Sequence, residues 1–234
     1  MCKLLTDEKR IKQSLVLPFR FITAFDAVNE ANIEGKRQLL EALNQALELS
    51  LANVPVFPGR TLVVPDDSGS MTWGHGKDGV APIRIGAIFA ALLFKSNNAD
   101  LMRFSDDASY VKAYHRDSVA TIANELVKNA RSAGTNFHAI FQVAYQAYDR
   151  IIILSDMQGW MGYASPAKDL EEYKWRKKVN PHIYSFDLQG YGTLQFPERN
   201  VYALAGVSDK VFDLMRLLEE DRQALVNRIE SVVF

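Results

Sequence analysis

The chain has 234 residues, 48% hydrophobic and 24% charged. That balance is close to the globular average and excludes a disordered, collagen-like or coiled-coil protein. At roughly 150 residues per domain the length allows one or two domains with a substantial core. The 27 basic and 28 acidic residues leave a net charge of −1, which argues against a polycation that coats nucleic acid or anionic lipid.

Residues 1–50 read as helical. The stretch LTDEKRIKQSLVLPFRFITAFDAV has apolar residues at near-helical spacing, broken once at Pro18. In GKRQLLEALNQALELSLANV, Leu39, Leu40, Leu43, Leu47 and Leu51 make a second amphipathic helix. Two helices this short cannot enclose a core, so they must pack on the rest of the chain or on a larger helical array. The breaker cluster Pro55 to Gly59 sets a boundary between a helical extension, 1–55, and a second unit, 56–234.

From Arg60 the rhythm changes. TLVVPD reads as a short buried strand, followed by a Gly-rich loop from Gly69 to Gly79 and a buried helix, RIGAIFAALLFK. ADLMRFS and SYVKAY read as strands around a turn at Ser105–Ala108. Ser118 caps VATIANELVKNA, and Asn136 opens NFHAIFQVAYQAY. RIIILSD is the clearest buried strand. Lys168–Lys178 is a charged, exposed helix, and PHIYSFDL and NVYALAG are further strands. Ser208 or Asp209 caps a last helix bearing Phe212, Met215, Leu218, Leu225 and Ile229. This alternation predicts an α/β fold: a mostly parallel sheet of about six strands with helices on both faces.

Cys2 is the one cysteine, so no intrachain disulfide can form, as suits a reducing compartment. No apolar run reaches the roughly 18 residues of a membrane span. The start, MCKLLTDEKR, is too charged for a signal peptide. The expectation is a cytoplasmic protein with no membrane partner.

Ligands of open α/β sheets bind at the carboxyl ends of the strands. The polar residues expected there are Asp66-Asp67-Ser68-Gly69-Ser70, Gly134-Thr135-Asn136 and Ser155-Asp156. Carboxylates and hydroxyls from three strand ends are hard oxygen ligands, which suit Mg²⁺. In Asp-x-Ser-x-Ser alternate residues point to one side, so Asp66, Ser68 and Ser70 face one ion and Asp67 faces away. Taken alone, those three also read as a polar turn capping the next helix.

Other chemistries find less support. His75, His115, His138 and His182 are scattered and lack zinc-type partners. A dehalogenase-type phosphatase needs an aspartate where Ser68 stands. No GxSxG elbow is present, and GHGKDG lacks P-loop spacing. No histidine base falls among the motif positions. Residues 1–20 and 168–178 each hold five basic side chains among acidic ones, which reads as solvated helix face in preference to phosphate contact. Trp73 and Trp160 fall in loops around the site, and Trp175 in the charged helix.

DDSGSM after an apolar strand, AGT in mid-chain and IIILSD later together resemble the metal-ion-dependent adhesion site of von Willebrand factor A domains. The resemblance spans about residues 60–220 and carries over five positions: Asp66, Ser68, Ser70, Thr135 and Asp156. It implies that the serines bind Mg²⁺ or Mn²⁺ directly. The threonine would bind directly or through water, and the aspartates through water. One position would stay open for a carboxylate from a protein partner. Many A domains follow the last aspartate with glycine; here Met157 and Gln158 intervene before Gly159, which predicts a differently shaped loop.

LPFRFITAFDAV, KWRKKVNPHIYSFDLQGYGT and VYALAGVSDKVFDLM also resemble the C-terminal part of TROVE-module, Ro autoantigen-type proteins. Those join an A domain to a helical ring that binds small non-coding RNA. Residues 1–55 are too few for such a ring. The resemblance implies a non-enzymatic, metal-dependent module of a Ro-type ribonucleoprotein, reaching RNA directly or through a separate helical-repeat protein. Two alternatives are a stand-alone protein-interaction module without RNA contact and a metal-dependent phosphoester hydrolase.

Overall fold

Strand and helix alternate through the computed structural model of the chain, which describes residues 2–14, 16, 18–73, 81–159, 165–192, 195, 200–206, 209–220 and 230. Six strands form one sheet: β1 (Thr61–Pro65), β2 (Asp100–Phe104), β3 (Ala108–Tyr110), β4 (Arg150–Ser155), β5 (His182–Asp187) and β6 (Val201–Ala205). Their order is β3-β2-β1-β4-β5-β6. All neighbours are parallel except β2 and β3, which form an antiparallel hairpin. The central strands TLVVP and RIIILS are buried at every position, as expected where helices cover both faces.

Alternation along β1 divides the core. Val63 packs with Ile152, Tyr184 and Phe186 under α6 (Pro82–Asn97), α7 (Val119–Lys128) and α10 (Asp209–Glu220). Leu62 and Val64 pack with Ile151 and Ile153 under α8 (Phe137–Val143) and α9 (Ala167–Lys177). Phe212, Met215 and Leu218 seat α10 as its spacing predicts, whereas Ser208, Leu225 and Ile229 lie outside the described residues.

Among the described residues four α-helices precede the sheet: α1 (Cys2–Leu5), α2 (Glu8–Ser14), α3 (Pro18–Glu30) and α4 (Lys36–Ser50). Pro18 begins α3, where its missing N–H costs nothing. Leu43 and Leu47 of α4 are buried. Glu48 ties this layer to the rest: its carboxylate takes Lys95 Nζ at 2.5 Å and the Val119 N–H at 2.6 Å. A negative charge is thereby set at the start of α7, where the helix dipole favours it. Ser118 caps the same end, accepting from Thr121 N–H at 3.0 Å. Ser118→Ala is expected to cost about 1 kcal/mol, read as a lower urea midpoint.

Three expectations are corrected. Gly69–Trp73 form a short helix, α5, because Met71 is fully buried and the Ser68 carbonyl accepts Thr72 N–H. β3 stops at Tyr110. α8 ends at Val143, and AYQAY is not helical: Tyr148 is drawn into the core, its hydroxyl donating to Asp100 at 2.7 Å. Among the described residues no helix is long and apolar enough to cross a membrane.

Candidate metal centre

Asp66 shapes the turn after β1. Its N–H extends the parallel ladder to the Leu154 carbonyl at 2.9 Å. Its Oδ1 accepts Ser68 N–H at 2.8 Å, and its Oδ2 accepts the Ser155 hydroxyl at 2.5 Å. Ser155 Oγ in turn accepts Met157 N–H at 2.9 Å. One hydroxyl thus ties the end of β1 to the turn after β4. Ser155 stood at a strand end in the sequence but outside the five chosen positions. Its place immediately before Asp156 was the available signal.

Ser68 is fully buried and Ser70 exposed, with their hydroxyl oxygens 3.3 Å apart. The pair leads from the interior to the surface. Thr135 is buried in a loop laced to the same turn. Ser132 N–H donates to the Asp67 carbonyl at 2.9 Å, Gly69 N–H to the Ala133 carbonyl at 2.8 Å, and Asn136 N–H to the Ser105 carbonyl at 2.7 Å. A side chain on Gly69 would meet the Ser132 carbonyl oxygen at 3.3 Å, so glycine permits this approach.

Asp156 is buried beside them. Its Oδ1 accepts Gln158 N–H at 3.1 Å, while Oδ2 is buried with no hydrogen-bond partner among the described residues. Asp67 turns aside, as its alternation predicts: its Oδ2 accepts Arg131 N–H at 3.3 Å and lies 3.8 Å from Arg103 Nη1. The loop after Asp156 departs from the glycine pattern. Met157 takes φ 58 and is buried, a left-handed conformation that costs a non-glycine residue roughly 1–2 kcal/mol. Gln195 Nε2 holds its carbonyl at 2.8 Å.

The electrostatics follow from burial. Desolvation pushes the Asp66 carboxyl up to about 7, and the neighbouring Asp156 charge adds to it; hydrogen bonds from Ser155 and Ser68 only partly offset this. An uncompensated buried carboxylate is costly, and a hard divalent cation would supply the missing charge. Two carboxylates and three hydroxyls make an all-oxygen set that fits Mg²⁺.

The described histidines stand elsewhere. His138 pairs with Asp169 at 2.5 Å, and His115 stacks on Phe94. Among the described residues no group of three or more His, Cys, Asp or Glu could hold a metal. Trp73 is exposed at the end of α5, whereas His75 and Trp160 lie outside the described residues.

The family model of the Ro60 vWA domain matches residues 60–216, more than half of the chain. The chain belongs to that family. Among solved structures, this vWA domain is similar to the Ro (RSR) protein of Deinococcus radiodurans, with a TM-score of 0.71 and 19% identity over 88% of this chain and 45% of that one. At 19% identity the likeness concerns the fold, and the chain spans less than half of that protein's length. A proximal thread matrix protein from the mussel byssus matches with a TM-score of 0.45 and 19% identity over 83% of this chain and 53% of its own. An aerotolerance-related membrane protein of Bacteroides fragilis matches with a TM-score of 0.44 and 11% identity over 69% and 97%. Both are too distant to bear on function. No curated protein matches the sequence.

The raised Asp66 carboxyl gives this vWA domain a testable pH dependence. In divalent-free buffer the folded state keeps the Asp66 proton up to about 7, whereas the unfolded chain releases it near 3.8. Between those values the folded state binds more protons, so stability falls as pH rises across the window. Denaturation midpoints across that window should decline for the wild type and decline less for Asp66→Asn. Parallel profiles for the two proteins would contradict this assignment.

Proposed function

We propose that this chain is a divalent-cation-dependent, non-enzymatic binding module of a Ro-type ribonucleoprotein, working in the cytoplasm. Asp66, Ser68, Ser70, Thr135 and Asp156 would hold Mg²⁺ or Mn²⁺. The bound ion would supply a fixed positive charge to a carboxylate on a protein partner. The chain's own residues do the positioning. Ser155 holds the Asp66 carboxylate in place, and the Gly69–Ala133 bond keeps the Thr135 loop against the turn. The observation that carries this reading is the buried Asp156 Oδ2, without a hydrogen-bond partner among the described residues, in the same strand-end cluster as the Ser68–Ser70 hydroxyl pair.

Binding is preferred over phosphoester hydrolysis because no histidine base stands among the five residues. Family membership supports a place beside non-coding RNA, reached by this chain or through a separate helical-repeat protein. The lone cysteine is compatible with a reducing cytoplasm. The test is capture of partners from the native cell with tagged protein, in Mg²⁺ and in EDTA, identifying both protein and RNA. The reading expects acidic-surface protein partners that are lost in EDTA. An identical set of partners in both conditions would rule out the metal-dependent contact.

A further inference from the structure

The two edges of the sheet are finished differently. β3 is three residues long, closes a hairpin with β2 and is soon followed by the exposed Lys112. Shortness and a lysine both blunt an edge against pairing with another chain. β6, at the other edge, reads VYALA and carries neither charge nor proline. Ala203 and Ala205 are exposed, Val201 and Tyr202 are half-buried, and Leu204 alone is buried. Among the described residues no strand pairs with its outer side.

The bonds to β5 fix which backbone groups that outer side carries. The Asn200 carbonyl accepts Ile183 N–H at 2.8 Å, and Gly206 N–H donates to the Asp187 carbonyl at 2.9 Å. The N–H and C=O of one residue point to the same side of a strand, and successive residues alternate sides. Asn200, Tyr202, Leu204 and Gly206 therefore face β5. Val201, Ala203 and Ala205 turn their N–H and C=O groups outward, where an added strand can take them. The side chains of these three stand on the sheet face opposite Leu204, which packs with Phe212 and Met215 of α10.

We propose that this edge joins two copies of the chain, β6 against β6, antiparallel about a twofold axis at Ala203. A strand from another protein is selected by pockets for its alternate side chains. The exposed positions of β6 are alanines, which build no such pocket. A second copy needs none, because the outward-facing set Val201, Ala203 and Ala205 is symmetric about its middle member. Ala203 meets its own counterpart, and Val201 meets Ala205 of the other copy. Each is a hydrogen-bonded pair that exchanges both N–H···O bonds. No charge in VYALA meets its like across the axis. The contact is closed and isologous, so it stops at two copies. A seam of five residues is small beside the roughly 1,200 Å² of stable interfaces, so the dimer is weak. It does not depend on the metal centre.

The test uses the full chain in EDTA, by sedimentation velocity from about 1 μM to about 1 mM, the range of weak interfaces. The wild type should pass from monomer to dimer as concentration rises. Ala203→Lys sets two ammonium groups against each other at the axis and should stay monomeric throughout. Ala203 is exposed, so the circular dichroism and urea midpoint of this variant should match the wild type. Register is read with a short bismaleimide in a Cys2→Ser background. Ala203→Cys places its two thiols on paired residues, with Cα atoms about 5.5 Å apart. Ala205→Cys places them four residues apart along the seam, about 14 Å. Ala203→Cys should therefore crosslink much faster than Ala205→Cys. A monomer at every concentration leaves the edge to a strand of another protein and overturns the proposal. A dimer that survives Ala203→Lys, or equal crosslinking at the two positions, overturns it too. Association that appears only when Mg²⁺ is restored assigns the contact to the metal centre and likewise overturns it.

Discussion

Glu219→Ala is expected to destabilise the protein by about 3–5 kcal/mol, the cost of leaving a buried charge without its partner. The charge is Arg150, whose side chain is 2% exposed and faces a Glu219 carboxylate that is 12% exposed. Arg150 Nε and Nη2 both donate to Glu219. Its Nη1 donates to Thr61 Oγ1 at 2.8 Å and its Nη2 to the Pro58 carbonyl at 3.2 Å. The Phe57 ring centre lies 4.5 Å from the guanidinium carbon. Tyr184 Oη lies 3.1 Å from the same glutamate, and burial pushes its hydroxyl up, so it stays protonated and can donate. The cluster fastens α10 to the amino end of the sheet, opposite the candidate metal centre. A Glu219→Leu, Arg150→Met double variant should recover most of the loss, because an apolar pair can replace a buried ion pair at little cost. Equilibrium urea denaturation of the three proteins measures both effects. A loss below about 1 kcal/mol for Glu219→Ala would place this pair among surface-type ion pairs.

That cluster also marks the limit of what the sequence discloses. Nothing beside Arg150 in RIIILS names its partner, which lies 69 residues away. Local pattern carries no such pairing. Where a segment is buried by its own periodicity, the reading was close: β1, β4 and β5 fall within their apolar runs, α6 extends beyond its run by two residues at each end, and Ser118 and Asn136 cap the helices they precede. Where a tertiary contact decides, local reading failed. GSMTW, expected to open a Gly-rich loop, is helical because Met71 is buried, and AYQAY leaves the helix so that Tyr148 reaches Asp100. In the candidate site, the five proposed oxygen ligands were named from their strand-end positions and from the motif the sequence resembles. Ser155 was not among them, because its role is to hold Asp66, and a supporting hydroxyl has no spacing of its own.

Asp66→Asn is expected to weaken Mg²⁺ binding by about 10–100-fold or more, in the range seen when oriented metal-site groups are removed. The amide keeps the size of the carboxyl, and its oxygen can still accept Ser68 N–H, as Asp66 Oδ1 does at 2.8 Å. Ser155 Oγ can rotate to accept from the amide nitrogen where it now donates to Oδ2 at 2.5 Å. The turn is therefore retained while one negative charge is removed. The unpartnered Oδ2 of Asp156 makes Asp156→Asn the second member of the series. Ser155→Ala is the third: it leaves every proposed ligand in place and removes the bond that positions Asp66. Isothermal titration with Mg²⁺ should rank the proteins with the wild type tightest, Ser155→Ala weaker, and the two aspartate variants weakest. A second readout needs no affinity fit. Saturating Mg²⁺ at 100 times its dissociation constant should stabilise the wild type by about 2.7 kcal/mol, seen as a raised midpoint of unfolding, and should leave Asp66→Asn nearly unmoved at the same concentration. Wild-type affinity in both aspartate variants would remove these residues from the metal centre, and with them the partner contact built on the ion.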